Sequence, residues 1–198
     1  MAKSTSIKDA VANFEKAKGV VAAETEKIEL WGQVPPIDKM DGVLASLKAC
    51  KHLSLSTNSI EKIGSLAGMD SLRSLSLGRN QIKKLENLEA VAPTLEELWV
   101  SYNLLERLGG CERLNNLRIL FVSNNKLRDW SEVERLASLP KLEEVLFAGN
   151  PFYNDYKDKQ AIPDYRIEVL KRLPNLKKLD GIPVDVDERE AAAAKRGA

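Results

Sequence analysis

The sequence predicts an α/β solenoid, a coil of stacked turns with short parallel strands on its concave face, helical returns on its convex face and a helical cap at each end. Three observations predict it. A 22-residue unit recurs along most of the chain, each unit contains a stretch of period-2 apolar alternation, and apolar residues recur at every third position between these stretches.

The unit Leu72-x-x-Leu75-x-Leu77-x-x-Asn80-x-Ile82 returns as Leu95-x-x-Leu98-x-Val100-x-x-Asn103-x-Leu105 and as Leu117-x-x-Leu120-x-Val122-x-x-Asn125-x-Leu127. Upstream lies Cys50-x-x-Leu53-x-Leu55-x-x-Asn58-x-Ile60, and downstream Leu142-x-x-Val145-x-Phe147-x-x-Asn150-x-Phe152. The asparagines Asn58, Asn80, Asn103, Asn125 and Asn150 step by 22, 23, 22 and 25 residues. A degenerate copy, Ile28-x-Leu30-x-x-Gln33, precedes them, as expected of a terminal repeat. Residues 28–152 therefore read as leucine-rich repeats.

In each unit a stretch such as Leu53-Ser54-Leu55 reads as a strand with leucines toward the core and the intervening residue outward. Beyond the asparagine, Ile60, Ile63, Leu66, Met69 and Leu72, or Leu105, Leu108, Cys111, Leu114 and Leu117, suit a helical return. The chain turns sharply at each asparagine and leaves interior amides without partners. A short side-chain amide donates and accepts there, so the five asparagines read as a structural ladder.

The ends of the stack need covers, because an open repeat face invites aggregation. Ser6 reads as the N-cap of a helix that buries Ile7, Ala10, Val11 and Phe14 and stops at Gly19, within an N-terminal cap over residues 1–27. After Asn150-Pro151 a loop is expected through Lys159. Ile162, Arg166, Val169, Leu170 and Leu173 then recur at helical spacing, and a strand-like turn ends at Gly181, giving a C-terminal cap over residues 153–183. The tail, residues 184–198, has acids first and bases last but almost no apolar stripe, so it reads either as a helix projecting from the solenoid or as a fraying end.

Catalytic chemistry finds no foothold. His52 is the only histidine and falls at an outward strand position, where it reads as a surface residue. Cys50 and Cys111 replace ladder leucines and read as small buried hydrophobes, which argues against a disulfide. There is no phosphate loop, dinucleotide fingerprint, CxxC pair or calcium loop, and no acidic residues recur as a facing pair. No cofactor or metal is implied. Thirty basic against twenty-nine acidic residues, a net charge of +1, lack the excess that nucleic-acid binding favours. No apolar run reaches the length of a membrane span, and the N-terminus shows no export signal, so an intracellular protein monomeric on its own is expected.

Function is sought on positions the repeat leaves unspecified. The outward residue between the two core residues of successive strands is Ser54, Ser76, Trp99, Phe121 and Leu146. Trp99, Phe121 and Leu146 predict an apolar stripe on the concave sheet, extended by Ile119 and Tyr102 and rimmed by Arg79, Glu97, Asn124 and Glu144. It reads as a partner-binding surface, the alternative being a cap or tail folded over it. Asp185 and Arg189 on the tail are the second candidate site.

The 22-residue unit belongs to the class found in a regulatory subunit of protein phosphatase 1 and in a spliceosomal leucine-rich-repeat protein. Segments around the repeats are more specific. Met1-Ala2-Lys3, Ile37-Asp38-Lys39-Met40-Asp41, Leu75-Ser76-Leu77-Gly78-Arg79-Asn80, Thr94-Leu95-Glu96-Glu97-Leu98-Trp99-Val100-Ser101-Tyr102-Asn103 and Leu176-Lys177-Lys178-Leu179-Asp180-Gly181 resemble the leucine-rich-repeat light chain of outer-arm axonemal dynein. The resemblance implies a non-catalytic subunit of the axoneme of cilia and flagella. Its implied partners are the motor region of an axonemal dynein heavy chain, at the microtubule-binding end of the stalk, and tubulin in microtubules. Arg79, Lys83, Lys84, Arg107, Arg118, Lys126 and Arg128 would suit acidic tubulin surfaces. A phosphatase regulatory subunit or a spliceosomal scaffold is the competing reading.

Overall fold

Alternating side chains let a three-residue strand bury one residue and present two, and this chain repeats that device six times before a final hairpin. In the computed structural model, which describes residues 4–196, the strands are β1 (Lys27–Glu29), β2 (His52–Ser54), β3 (Ser74–Ser76), β4 (Glu97–Trp99), β5 (Ile119–Phe121), β6 (Glu144–Leu146), β7 (Lys178–Leu179) and β8 (Ile182–Pro183). They stack in chain order into one sheet, parallel from β1 to β7 and antiparallel between β7 and β8. The central residues Ile28, Leu53, Leu75, Leu98, Leu120 and Val145 are register partners in turn, and all are buried. Residues 1–3, which carry part of the family resemblance, lie outside the described residues.

The asparagines tie the turns together. Their Oδ1 atoms accept from the backbone N–H of Ile37, Ile60, Ile82, Leu105 and Leu127, one turn back, at 2.9 to 3.1 Å. Each Nδ2 donates to a carbonyl of its own turn and one of the preceding turn; Asn103, for example, reaches Val100 O at 3.0 Å and Leu77 O at 2.9 Å. Gln33 takes no part and donates to Trp31 O instead. The residue before each of Asn58, Asn80, Asn103 and Asn125 has left-handed φ: Thr57, Arg79, Tyr102 and Asn124, at 52° to 58°. Gly149 fills that position before Asn150, and a Cβ there would meet the Asn124 amide.

On the convex side the expected helical returns take a tighter form than an α-helix. The apolar residues at three-residue spacing are buried, but between Ile60 and Leu72 and between Leu105 and Leu117 the chain makes single turns. These turns close by i to i−3 bonds, such as Met69 N to Leu66 O and Leu117 N to Leu114 O. Three residues per turn is the period of a 3-10 helix, not of an α-helix, so the spacing itself specifies this tighter return. Among the returns between β1 and β6, only that from β5 to β6 contains an α-helix, α2 (Trp130–Arg135).

At the N-terminus, α1 (Ile7–Lys18) is capped by Ser6, whose Oγ accepts from Asp9 N, and ends at Gly19 with φ 67°. It buries Ile7, Ala10, Val11 and Phe14 over the first turn. At the other end, the expected loop after Asn150 is a helix, α3 (Pro151–Lys157). Its proline occupies the first helical position, where the missing N–H costs nothing, so a residue that looks like a breaker is a helix starter. α4 (Ile162–Arg172) follows and buries Tyr165, whose hydroxyl donates to Asp180 Oδ2 at 2.7 Å. Asp180 Oδ1 accepts from Phe147 N and Ala148 N, so this carboxylate closes the last turn.

The C-terminal tail neither projects nor frays over its described residues. It is a helix, α5 (Val186–Arg196), packed against α4 and burying Ala192. Polar contacts compensate for the missing apolar stripe. Buried Arg166 pairs with Glu188, Nη2 lying 3.0 Å from Oε2, and donates from Nη1 to Leu179 O. Burial without a partner would leave Arg166 costly, and the tail supplies that partner.

Candidate partner-binding surface

Register decides which outward residues meet. Across the sheet Glu29, Ser54, Ser76, Trp99, Phe121 and Leu146 are successive partners, so the three large groups stand on adjacent strands. The rings of Trp99 and Phe121 stack with centroids 5.6 Å apart and planes 24° apart. Trp99 is 39% exposed and Tyr102 47%. Phe121, Leu146 and Ile119 are half-buried. Neither cap encloses Trp99, and α5 packs on α4 rather than on the stripe.

The remaining candidates separate from this cluster. Ile119 stands in the second outward row between Glu97 and Glu144, so the stripe is bordered by carboxylates on that side. Arg79 and Tyr102 occupy the left-handed position of successive turns, and the Arg79 guanidinium lies 4.4 Å above the Tyr102 ring. Asp185 and Arg189 belong to the C-terminal cap, where each is engaged structurally. Asp185 Oδ1 accepts from Glu188 N while Asp185 N donates to Glu188 Oε2, a reciprocal capping arrangement. Arg189 donates to Pro174 O and Leu176 O.

The bases do not form one face. Lys83, Lys84, Arg107, Lys126 and Arg128 are exposed on the segments that follow the ladder asparagines. Arg118 lies on the opposite edge, immediately before β5, where it pairs with Glu143 at 2.9 Å. That edge carries a chain of inter-turn pairs, Lys51 with Glu26, Arg73 with Glu96, and Lys177 with Glu143. Hydrogen bonds from Lys177 and Arg118 hold the Glu143 carboxyl below its ordinary range. Such exposed pairs register the turns more than they stabilise them.

His52 is exposed on β2, and the buried thiols of Cys50 and Cys111 are pushed up by desolvation, to about 11 and about 12. A thiol so far above neutral pH is a poor nucleophile. Among the described residues no group of three or more His, Cys, Asp or Glu side chains is placed to hold a metal ion.

Sequence reading passed over two features. Trp31, 59% exposed, continues the outward alternation of β1, where Leu30 N and Gly32 N still donate to Ser54 O and Ser56 O. The period-2 rule applied to the degenerate repeat would have found it. The other is a concavity of about 350 Å³ on the polar half of the sheet, lined by Lys27, Glu29, His52, Ser54, Ser76 and Trp99 among others. Its depth follows from small residues beside a large one, information held by neighbouring repeats jointly.

A family model described as leucine-rich repeats in two copies matches residues 48–90, and the leucine-rich-repeat model of leucine-rich repeat and WD repeat-containing protein 1 matches residues 86–186. Dynein axonemal light chain 1 of Chlamydomonas reinhardtii is 70% identical over 197 residues, covering 100% of both chains. This chain belongs to the dynein axonemal light chain 1 family. The Danio rerio and Homo sapiens members are 55% and 54% identical, each over 96% of this chain and 97% or 98% of their own. Among solved structures, one from the Drosophila melanogaster SNF/U2A′ complex aligns with a TM-score of 0.54 at 23% identity, over 85% of this chain and 79% of that one. A Listeria monocytogenes internalin aligns at 0.55 and 23%, over 80% and 43%. These two likenesses concern the fold, which this chain shares with proteins of other names.

Proposed function

We propose that this light chain is a non-catalytic subunit of outer-arm axonemal dynein that docks the motor region of a heavy chain on its concave face. The observation that carries the reading is the stripe of Trp99, Phe121 and Leu146, large apolar groups in register on a face neither cap encloses. Folding alone gives no reason to keep an indole 39% exposed, whereas an aromatic anchor at the centre of an interface does. Family membership favours dynein over a phosphatase or a spliceosomal partner. The relatives' name also supports a place in the axoneme of cilia or flagella. Within that reading the heavy-chain contact lies at the microtubule-binding end of the stalk, the protein is a monomer until it docks, and its exposed bases meet acidic tubulin as motility is regulated.

Titration of the purified chain against two fragments of one heavy chain, its stalk with the microtubule-binding end and its tail, tests the assignment. Saturable binding to the stalk fragment alone is expected. Binding only to the tail fragment, or to neither, contradicts it. Co-sedimentation of the light chain with microtubules, with and without the stalk fragment, tests the tubulin contact separately.

A further inference from the structure

Glu97 and Trp99 are the two outward residues of β4, so they stand side by side on one face of the sheet. Phe121 covers one side of the Trp99 indole. On the other side the register partner is Ser76, too small to cover a ring, and the 350 Å³ concavity opens there. Ser54, Ser74 and Ser76 form its floor, with Glu97 and Trp99 on one flank and Lys27 and Glu29 on the other.

The charges in this hollow are not equivalent. Lys27 and Glu29 satisfy each other at 3.0 Å. Glu97 meets no cation within 4.0 Å among the described residues; its carboxylate only accepts from Ser74 Oγ at 3.4 Å. Arg118, the nearby base just before the next strand, is committed to Glu143. An indole face, a neighbouring carboxylate without a counter-ion and a floor of hydroxyl oxygens suit a planar cation. The ring quadrupole attracts it, the carboxylate takes paired N–H bonds, and the hydroxyls accept the remaining donors. A guanidinium fits this set better than an ammonium, because it is flat and carries five donors in a fixed fork.

We propose that the hollow beside Trp99 is a socket for an arginine side chain of the protein that docks on the concave face. The proposal rests on the concave-face reading above and adds a polar contact to its apolar stripe. It gives the docked partner a single orientation, because the cation site lies on only one side of the stripe.

Two measurements test it. In amide and indole N–H spectra of the intact light chain, titration with N-acetyl-arginine methylamide should shift the Trp99 and Glu97 signals saturably. The uncharged citrulline analogue should not, and Glu97→Gln should abolish the response. Against the heavy-chain stalk fragment, Glu97→Gln should weaken binding about tenfold or more and flatten its salt dependence, with the unfolding midpoint unchanged. If Phe121→Ala weakens binding while Glu97→Gln does not, the socket is wrong and concave docking stands. If neither weakens it, the docking reading fails and takes the socket with it. An equal response to the citrulline analogue also overturns the proposal.

Discussion

Replacing Asn103 by alanine isolates what the asparagine ladder contributes, because the hydrogen bonds lost can be counted one by one. Asn103 is 5% exposed in the middle of the stack. Its Oδ1 accepts from Ile82 N at 2.9 Å, and its Nδ2 donates to Leu77 O and Val100 O, with a longer shared contact to Ser101 O at 3.4 Å. Those two carbonyls keep a second donor, since Leu77 O also accepts from Asn80 and Val100 O from Asn125. The Ile82 N–H keeps none. An orphaned buried donor costs about 1 to 3 kcal/mol and each lost donor bond about 1, so Asn103→Ala should destabilise the fold by about 3 to 5 kcal/mol. Asn58 makes the same bonds at the first rung but is half-buried, so water can replace the lost partner and Asn58→Ala should cost markedly less. Urea unfolding monitored by circular dichroism gives both values, provided the denaturant slopes agree with that of the parent. Amide exchange at Ile82 should accelerate in Asn103→Ala. A loss below about half a kcal/mol, or equal losses at the two positions, would refute the ladder account.

Leu77→Ala empties a fully buried site and should cost about 2 to 5 kcal/mol in the same assay; a loss under about half a kcal/mol would contradict the core assignment. Cys50 and Cys111 should react with a thiol reagent only as the chain unfolds, because burial both shields them and raises them to about 11 and about 12; rapid labelling of the folded protein would be the contrary result. Hydrogen bonding to Arg166 holds the Glu188 carboxyl below its ordinary range. A depressed carboxyl stabilises the fold above its unfolded pKa and ceases to do so as pH falls through the folded value. Acid should therefore lower the amide protection of α5, taken relative to the intrinsic exchange rate at each pH, in the parent, whereas Glu188→Gln should be weakly protected already at neutral pH with little further change. Slow exchange in that variant would show that the ion pair does not hold the helix.

Local rules carried most of this fold because each turn repeats the same local problem. The strand positions, the buried third residues and the N-terminal cap are matters of spacing within about twenty residues, and the chain states each of them several times. In the tail the deciding partner is distant in sequence. Glu188 looks like a solvated tail acid until Arg166, 22 residues earlier, is placed beside it. Pro151 looks like a breaker unless its place at the start of α3 is known. The three-residue spacing reads as a helical return, and its period is that of the 3-10 turns that form there. For the candidate surface, alternation placed Trp99, Phe121 and Leu146 on one row. That Ile119 stands between two carboxylates is a fact of register with β4 and β6. That Arg189 is spent on the carbonyls of Pro174 and Leu176 depends on how α5 docks.

Equilibrium titration of the heavy-chain stalk fragment against the parent chain, Trp99→Ala and Phe121→Ala tests the central claim most directly. Glu89→Gln, exposed on the convex side, serves as the control. Each aromatic variant should lose about 2 kcal/mol of binding or more, roughly thirtyfold in affinity, and the control nothing. Stability should fall by less than affinity in both aromatic variants, because both rings are partly exposed and their stack adds only about 0.5 to 1.5 kcal/mol beyond the area it buries. If Trp99→Ala binds as tightly as the parent, or if affinity falls only in step with stability, the concave stripe is not where the heavy chain docks.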